Sequence, residues 1–218
     1  MTALRVGRVH YPVTALGPGR RLGVWTQGCP LACPGCMSRD TWDPAGGEPA
    51  PVAGLEALWR AALAAGADGL TVSGGEPLAQ PGPLAAFLDR ARAVRDAVRP
   101  EADILLYTGY ELEELDEPRL AAVAHADVLI TGRYEVTRPT RLPWRGSAGQ
   151  RLIARTDLGR ARYAARADTP ADRVPVQVVP DGRGGVLVIG VPPPGTLARM
   201  ERALRAGGVR LDRPSWRP

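Results

Sequence analysis

The chain has 218 residues, a mass of 23.1 kDa and a formal net charge of +5, with 44% hydrophobic and 23% charged residues. This composition predicts one soluble globular domain, or one domain with an appendage, and not a disordered chain. The sequence contains 28 arginines and no lysine. The absence of lysine excludes any mechanism that needs a Schiff-base lysine or a phosphate-loop lysine.

The N-terminal stretch, MTALRVGRVHYPV, lacks an apolar run long enough for a signal peptide. No run of about 18 uncharged apolar residues follows it, so we expect no membrane span. We therefore expect a cytoplasmic protein, in which thiols stay reduced and clustered cysteines bind metal more often than they form disulfides.

Two amphipathic helices are predicted between residues 52 and 100, the first ending at Gly66 and the second at Pro100. Their predicted buried faces are Val52, Leu55, Leu58, Trp59 and Leu63 in the first helix, and Leu84, Phe87, Leu88, Ala91, Val94 and Val98 in the second. A helical pair broken near Pro118 is predicted further on, and residues 45–54 are predicted to form a flexible loop.

Short apolar strands are predicted around these helices, at residues 21–28, 69–77, 103–109 and 126–132. The alternation of strands and helices predicts an α/β fold with a parallel sheet. The strands end in QGC, SGGEP, YTGY and ITGRY. Because ligand groups gather at the C-terminal ends of parallel strands, we expect these loops to form the active edge of the sheet.

The pattern changes after Arg155. Residues 174–180 and 185–191 flank the turn sequence DGRGG and predict a β-hairpin, and residues 195–208 predict a short amphipathic helix. We therefore divide the chain into a core domain, residues 1–155, and a small C-terminal extension of ββα type, residues 156–218.

Charge is distributed unevenly along the chain. Residues 1–131 contain 11 arginines and 16 acidic residues, whereas residues 132–218 contain 17 arginines and 7 acidic residues. A basic half of this kind could face a nucleotide, a nucleic acid or an acidic protein. Aromatic residues are not interleaved among these arginines, so we do not expect binding to nucleic acid.

All three cysteines, Cys29, Cys33 and Cys36, lie in one C-x₃-C-x₂-C stretch. Three thiols cannot form a closed set of disulfides, and a thioredoxin-type pair would leave one over. A zinc site of Cys₃His type would need His10 or His125 as its fourth ligand. An iron–sulfur cluster fits better, since three thiolates instead of the usual four would leave one iron open to a reactant.

The segment from Ser73 to Pro77, SGGEP, follows a predicted buried strand on the same edge of the sheet as the cysteines. Its glycines let the backbone approach a ligand closely, and Glu76 offers a carboxylate to an amino group. By itself such a segment predicts only a turn, but its position next to the cysteines indicates a ligand site.

A C-x₃-C-x₂-C stretch followed by a strand that ends in G-G-E resembles the radical S-adenosylmethionine superfamily. The resemblance implies a partial (open) parallel β/α barrel in which the three cysteines hold a 4Fe–4S cluster. In that superfamily the open iron binds the amino and carboxylate groups of S-adenosylmethionine. The reduced cluster then cleaves the sulfonium to give a 5′-deoxyadenosyl radical, which implies a low-potential electron donor.

Within the superfamily the sequence is similar to the anaerobic ribonucleoside-triphosphate reductase-activating proteins, which are small glycyl-radical activases. Six segments between His10 and Arg155 carry this resemblance in order: YPVTALGPGRR, QGCPLACPGCMSRDTW, SGGEPL, YTGYELEEL, DVLITGRY and WRGSAGQRLI. The resemblance implies a glycyl radical enzyme, such as anaerobic ribonucleotide reductase, as the protein client.

The same resemblance assigns roles to individual residues. Cys29, Cys33 and Cys36 match the cluster ligands. Residues at three places match contacts to S-adenosylmethionine: Gly35 and Met37 beside the last cysteine, Ser73, Gly74, Gly75 and Glu76 at one strand end, and Thr108 and Gly109 at the next.

Four positions depart from the pattern of the family, and the extension has no counterpart in the short activases. Met37 replaces a tyrosine or histidine, Glu76 and Thr131 replace aspartates, and Gly149 replaces an asparagine. Thr131 and Gly149 lie in the segments nearest the partner, so two other functions stay open. One is radical modification of a different peptide or small molecule, and the other is a non-catalytic interaction protein that binds a cluster or zinc.

Overall fold

The structure is a computed structural model that describes residues 2–181, 185–212 and 214–217. The strands of this part are β1 (Ala3–Val13), β2 (Arg21–Thr26), β3 (Glu48–Pro51), β4 (Gly69–Gly74), β5 (Asp103–Tyr107), β6 (Val128–Thr131), β7 (Arg151–Ala154), β8 (Gln177–Pro180) and β9 (Val186–Ile189). Its α-helices are α1 (Val52–Ala64), α2 (Pro81–Val98), α3 (Glu117–Val123), α4 (Asp157–Ala167) and α5 (Thr196–Ala206).

One sheet of seven strands organises the protein, in the order β3-β1-β2-β4-β5-β6-β7. Its four middle strands, β2, β4, β5 and β6, are parallel, and β1, β3 and β7 pair antiparallel at the two sides. The predicted α/β class and the parallel arrangement of the predicted strands are therefore confirmed.

Side chains alternate between the two faces of the sheet, as the pleat of a strand requires. One face packs against α1, α2 and α3, and its strand residues include Val24, Val72, Leu106 and Leu129. Trp59 of α1 is fully buried there, and its Nε1 donates a hydrogen bond of 3.0 Å to the carbonyl of Ala91 in α2. Because the three helices cover this face, the predicted ligand site can lie only on the other face of the sheet.

The opposite face is covered by elements that follow residue 155. The hairpin of β8 and β9 packs Leu187 and Ile189 against Val13 of β1 and Trp25 of β2. Tyr163 of α4 is fully buried among Leu105, Val128 and Ile130. Residues of the predicted extension thus form part of the core.

A buried ion pair lies at the N-terminal edge of the parallel strands. The guanidinium of Arg21, at the start of β2, donates hydrogen bonds of 2.9 and 2.7 Å to the two carboxylate oxygens of Asp103, at the start of β5. Arg21 Nε also donates to Thr71 Oγ1 at 2.6 Å, and the hydroxyl of Tyr163 donates to Asp103 at 2.7 Å. The pair therefore joins the starts of two parallel strands, at the edge of the sheet opposite to the expected active edge.

Several predictions of local structure need correction. The predicted loop at 45–54 contains β3 and the start of α1. Leu58 and Val98 are 47% and 45% exposed, so they lie outside the buried faces assigned to their helices. The first half of the predicted helical pair is only a short 3₁₀ turn, Leu112–Glu114, and the break precedes Pro118, which lies within α3.

The predicted C-terminal hairpin and helix are present as β8, β9 and α5. Of the predicted turn DGRGG, residues 182–184 lie outside the described residues. The sequence analysis missed α4, β1, β3 and β7. No helix within the described ranges is long and apolar enough to cross a membrane.

Candidate functional site

The cysteine loop leaves the C-terminal end of β2 and returns along it. The backbone N–H of Gly28 donates to the carbonyl of Thr41 at 2.8 Å, and that of Cys29 donates to Trp42 at 3.0 Å. Between these anchors the loop turns sharply at Ala32 and Gly35, which have φ angles of 44° and 75°. Backbone hydrogen bonds therefore fix both ends of the loop at the sheet, and the loop between them carries all three cysteines.

All three cysteines are free, half-buried and line one cavity of about 680 Å³ at the C-terminal edge of the parallel strands. The backbone N–H of Ser38 donates to Cys36 Sγ at 3.4 Å. Burial raises the pKa of the Cys29 and Cys36 thiols above the ordinary value. Backbone N–H groups beside both sulfurs oppose that rise because they favour the thiolate, which is the form that binds iron.

These three thiols fit an iron–sulfur cluster in number, softness and position. Among the described residues, no three side chains of His, Cys, Asp or Glu converge on the position of a single metal ion. A 4Fe–4S cluster differs from such a site because each of its thiolates binds a different iron. Neither His10 nor His125 lines the cavity, and His125 instead faces Asp89 at 3.7 Å, so nothing here supports the Cys₃His alternative.

The end of β4 packs directly against the base of the cysteine loop. Gly74 has a φ angle of 112°, and Gly75 Cα lies so close to the loop that an added Cβ would be 2.4 Å from the carbonyl oxygen of Gly28. Only glycine fits the backbone at this contact. The N–H of Glu76 then donates to the carbonyl of Gly28 at 2.9 Å, so the two segments form one rigid unit.

The carboxylate of Glu76 is buried, and it joins the ends of β4 and β5. One oxygen accepts hydrogen bonds from Leu78 N at 2.9 Å and Thr108 Oγ1 at 2.8 Å, and the other accepts from Gly109 N at 2.7 Å. Burial raises the pKa of Glu76, and these donors oppose that rise. The described contacts thus show Glu76 holding the site together, and its contact with an amino group stays a prediction.

Replacing Glu76 with alanine should leave three buried or half-buried donors without an acceptor. We expect the free energy of unfolding to fall by about 3 kcal/mol, because hydrogen bonds to a charged group contribute roughly 1.5–3 kcal/mol each and are only partly replaced by water. Thr108→Val is the partial control: it removes one of the three bonds to Glu76, and also the bond of 3.1 Å that Thr108 Oγ1 accepts from Tyr110 N, so it should cost about 1–2 kcal/mol. Equal losses in urea unfolding of the two variants would contradict this role of the carboxylate.

The cavity brings together nearly all residues that the sequence analysis assigned to the site. Its lining includes Cys29, Cys33, Cys36, Met37, Ser73, Gly74, Gly75, Glu76, Thr108 and Gly109. Gly35 is the exception: it does not line the cavity, and an added Cβ there would be 2.7 Å from the side chain of Val136. Its positive φ angle gives it a role in the loop turn.

The sequence analysis missed several large side chains in the wall of the cavity. Trp25, Trp144 and Arg145 line it from the sheet and from the loop before β7, and Trp216 lines it from the C-terminal segment. Arg145 is 9% exposed and donates to Asp168 at 2.9 Å. The one available signal was the alternation of β2, which directs Trp25 away from the helices.

Comparison with known proteins identifies the class of protein to which this chain belongs. Residues 15–153 match the model of the family "4Fe-4S single cluster domain". This match and the cysteine loop define the class: an α/β protein with a single 4Fe–4S cluster domain. The match ends at residue 153, so α4, the hairpin and α5 lie outside the matched range.

Three curated relatives identify the family more narrowly. The anaerobic ribonucleoside-triphosphate reductase-activating proteins of Enterobacteria phage T4, Vibrio cholerae serotype O1 and Escherichia coli K12 are 36%, 34% and 32% identical to this chain. The matches cover 65% of this chain in each case, and 88%, 92% and 93% of the respective relatives. The chain belongs to the family of anaerobic ribonucleoside-triphosphate reductase-activating proteins, as the sequence resemblance predicted.

Proposed function

We propose that this protein is a radical S-adenosylmethionine enzyme that activates a glycyl radical enzyme, with an anaerobic ribonucleoside-triphosphate reductase as its client. Cys29, Cys33 and Cys36 would hold the 4Fe–4S cluster, and S-adenosylmethionine would occupy the cavity beside it. The relatives named above are reductase-activating proteins, which supports the choice of client.

One observation carries the proposal: three free thiols and the glycine-rich end of a neighbouring parallel strand line the same cavity. The thiols would bind iron, and Gly74 and Gly75 let the end of β4 pack closely against the backbone of Thr26 and Gly28 at the base of the cysteine loop. A structural zinc or cluster site would need only the thiols. The combination therefore favours catalysis over a purely structural cluster.

When bound, the reduced cluster supplies the electron that cleaves the sulfonium of S-adenosylmethionine into methionine and a 5′-deoxyadenosyl radical. The chain itself orients the reactants and excludes water from them. Aromatic side chains of Trp25, Tyr107 and Trp144 form part of the wall that would shield the radical. The rigid unit of Gly28, Gly75 and Glu76 would hold the cofactor at a fixed distance from the cysteines.

The proposed reaction on the client is a hydrogen-atom transfer. A glycine of the client would lose the hydrogen atom of its Cα to the adenosyl group of the cofactor, so the products would be a glycyl radical and 5′-deoxyadenosine. Each turnover consumes one electron, which a low-potential donor protein must supply. We propose a cytoplasmic location, where such donors and reduced thiols are found.

The central sheet supports an open barrel as the finer description of the fold. Helices α1, α2 and α3 cover one face, while the cavity lies on the other face at the C-terminal edge of the strands. A parallel β/α barrel has the same division, with helices outside and the ligand at the C-terminal edge. We therefore assign the sheet to the partial barrel of the radical S-adenosylmethionine type.

The extension, residues 156–218, is proposed to complete the wall of the cavity. Residues 186–191 line it, and so does the C-terminal segment around Ser215, whose Oγ donates to the carbonyl of Met37 at 2.6 Å. Gln177 ties the hairpin to β1, since its Nε2 donates to the carbonyl of Pro12 at 2.8 Å. A client protein would then have to approach the cluster alongside the extension.

Two truncations test how the extension is built. A chain that ends at Gly208 loses no buried side chain among the described residues, so we expect its free energy of unfolding to change by about 1 kcal/mol or less. A chain that ends at Arg155 loses the fully buried Tyr163 and should be destabilised by at least 3 kcal/mol. Thermal unfolding measures both, and a stable 1–155 fragment would show that α4 is dispensable.

Formation of 5′-deoxyadenosine tests the proposed chemistry. The protein is purified without oxygen, reconstituted with iron and sulfide, reduced, and mixed with S-adenosylmethionine. We expect 5′-deoxyadenosine and methionine in equal amounts. A chain that binds one zinc and no iron would overturn the proposal.

A different radical substrate is the second candidate function, favoured by the extension that walls the cavity and lies outside the matched domain. In that case the protein would cleave S-adenosylmethionine but would transfer no radical to the reductase. The substrate would then be a peptide or small molecule that fits between the cysteine loop and the hairpin.

A further inference from the structure

The C-terminal segment lies at the opening of the cavity that contains the three cysteines. It is described at residues 209–212 and 214–217, which are called the strap below. All of these residues except Arg217 line the cavity. Val209 and Asp212 are also exposed, so the strap borders the cavity on one side and solvent on the other. A segment in this position covers part of the entrance to the cysteines.

Hydrogen bonds join the strap to the cysteine loop and to α5. Ser215 Oγ donates to the carbonyl of Met37, which belongs to the cysteine loop, at 2.6 Å. Trp216 Nε1 donates to one carboxylate oxygen of Glu201 in α5 at 2.9 Å, and Arg217 pairs with the other oxygen. The strap therefore bridges α5 and the cysteine loop.

The strap is held more weakly than the rest of the cavity wall. None of its described side chains is fully buried, and α5 has no buried residue either. Among the described residues, the bond from Ser215 to Met37 is the one hydrogen bond between the strap and the cysteine loop. The hairpin, by contrast, packs Leu187 and Ile189 into the core. Segments with few buried contacts open locally while the core stays folded, so the strap is the part of the wall that can move.

We propose that the strap closes the cavity in the isolated protein and is displaced by the client when the client docks. The strap and a client segment cannot both occupy the space beside Met37, so client binding requires the open state. A ligand that binds only the open state shifts the protein towards that state. The inference rests on the proposed function for the identity of the client, and the closed strap would shield the cysteine loop until that client arrives.

The reactivity of the thiols in the cluster-free protein tests whether the strap closes the cavity. The full-length chain and a chain that ends at Gly208 are treated with a maleimide that carries a polyethylene glycol chain, and the modified cysteines are counted by mass. We expect the truncated chain to react about tenfold faster, because so bulky a reagent reaches the thiols only in the open state. Iodoacetamide, which is small, should react with both chains at rates within about twofold. Equal rates with the bulky reagent would overturn the inference.

Ser215→Ala covers the case in which the truncated chain does not fold. This variant keeps the whole strap and removes only its bond to Met37, and loss of one such bond should make the bulky reagent react about fivefold faster. Thr196→Ala is the matched control, since its hydroxyl accepts a bond of 2.9 Å from Arg199 within α5 and lies outside the cavity wall. We expect the wild-type rate for the control, and an unchanged rate for Ser215→Ala would overturn the inference.

Binding of the client tests the displacement itself. An anaerobic ribonucleoside-triphosphate reductase should bind the chain that ends at Gly208 about tenfold more tightly than the full-length chain, because the apparent affinity of the full-length chain is reduced by its small open fraction. Equal affinities would show that the client does not displace the strap. Binding to neither chain would instead count against the client in the proposed function, and the thiol measurements, which need no cluster, no cofactor and no client, would still test the closed state.

Discussion

Replacing Cys33 with alanine is expected to abolish the formation of 5′-deoxyadenosine from S-adenosylmethionine. The loop offers three thiols, and no other cysteine exists in the chain to replace a lost one. With two ligands the cluster would be lost or would bind too loosely to hold its open iron against the cofactor. The same result is expected for Cys29→Ala and Cys36→Ala, each measured as product per reconstituted protein.

Ser38→Ala is the matched control for these variants. It changes a residue of the same loop but keeps the backbone N–H that donates to Cys36 Sγ. We expect wild-type iron content and product formation to within about threefold, which is below 1 kcal/mol. Product formation by a variant without all three cysteines would refute the assignment of the cluster ligands.

The second large effect is expected at the buried ion pair. Asp103→Ala leaves the guanidinium of Arg21, which is fully buried, without its carboxylate. Removing one partner of a buried pair typically costs 3–5 kcal/mol, because the remaining charge has no compensation. We therefore expect Asp103→Ala to lower the free energy of unfolding by about 3–5 kcal/mol in urea titrations.

Asp96→Ala controls for the loss of a surface carboxylate. Asp96 also pairs with arginine, at 2.8 Å from Arg95 Nε, but its side chain is 53% exposed. Water screens this exposed carboxylate, and the buried Arg95 keeps its ion pair with Asp127, so the contact with Asp96 should contribute less than about 1 kcal/mol. Equal destabilisation by Asp96→Ala and Asp103→Ala would contradict the structural role of the buried pair.

The ion pair also predicts a direction of pH dependence. Burial would raise the pKa of Asp103, but the charge of Arg21 and hydrogen bonds from Arg21 and Tyr163 hold it below its ordinary value. Stability from this depressed pKa is complete above the unfolded value of about 3.9 and is lost as the pH falls below it. Asp103→Ala should therefore remove part of the stability loss that the wild type shows as the pH falls below about 4.

The central strands and the helices between them were predictable from the sequence because their signals are local. The apolar run of β5 and the three- and four-residue spacing of Leu84, Phe87 and Leu88 need no knowledge of distant partners. The exposure of Leu58 and Val98 was not predictable in this way, since both continue the apolar spacing of their helices. Leu58 precedes the buried Trp59 but lies outside the buried face of α1, and Val98 is the last residue of α2.

The missed elements have signals that depend on distant partners. β1 and β3 form the antiparallel side of the sheet, and their sequences mix arginine, glutamate and proline with apolar residues because β3 is largely exposed and most of β1 is only half-buried. Helix α4 is rich in arginine and buries few residues, among them Tyr163. The sequence pattern of such an element resembles that of a solvated segment. It can be recognised only when the sheet against which the element packs is known.

Most residues of the candidate site were predictable from the sequence, since the cysteine spacing indicates chemistry by itself and the strand end SGGEP indicates a ligand site through its position beside the cysteines. The place of the extension in the cavity wall was not predictable from the sequence. Trp216, for example, lines the cavity together with Cys36, although about 180 positions separate the two residues in the chain. The structural role of Glu76 also needed the structure. Its hydrogen bonds with Thr108 and Gly109 join two strands that the sequence separates by a helix.

The most direct test of the account is transfer of the radical to the client. The reconstituted, reduced protein is incubated without oxygen with S-adenosylmethionine and an anaerobic ribonucleoside-triphosphate reductase, and the EPR spectrum is recorded. We predict a glycyl radical on the reductase, an equal amount of 5′-deoxyadenosine, and neither of them with Cys33→Ala. Release of 5′-deoxyadenosine without a radical on the reductase would contradict the proposed client and favour a different substrate.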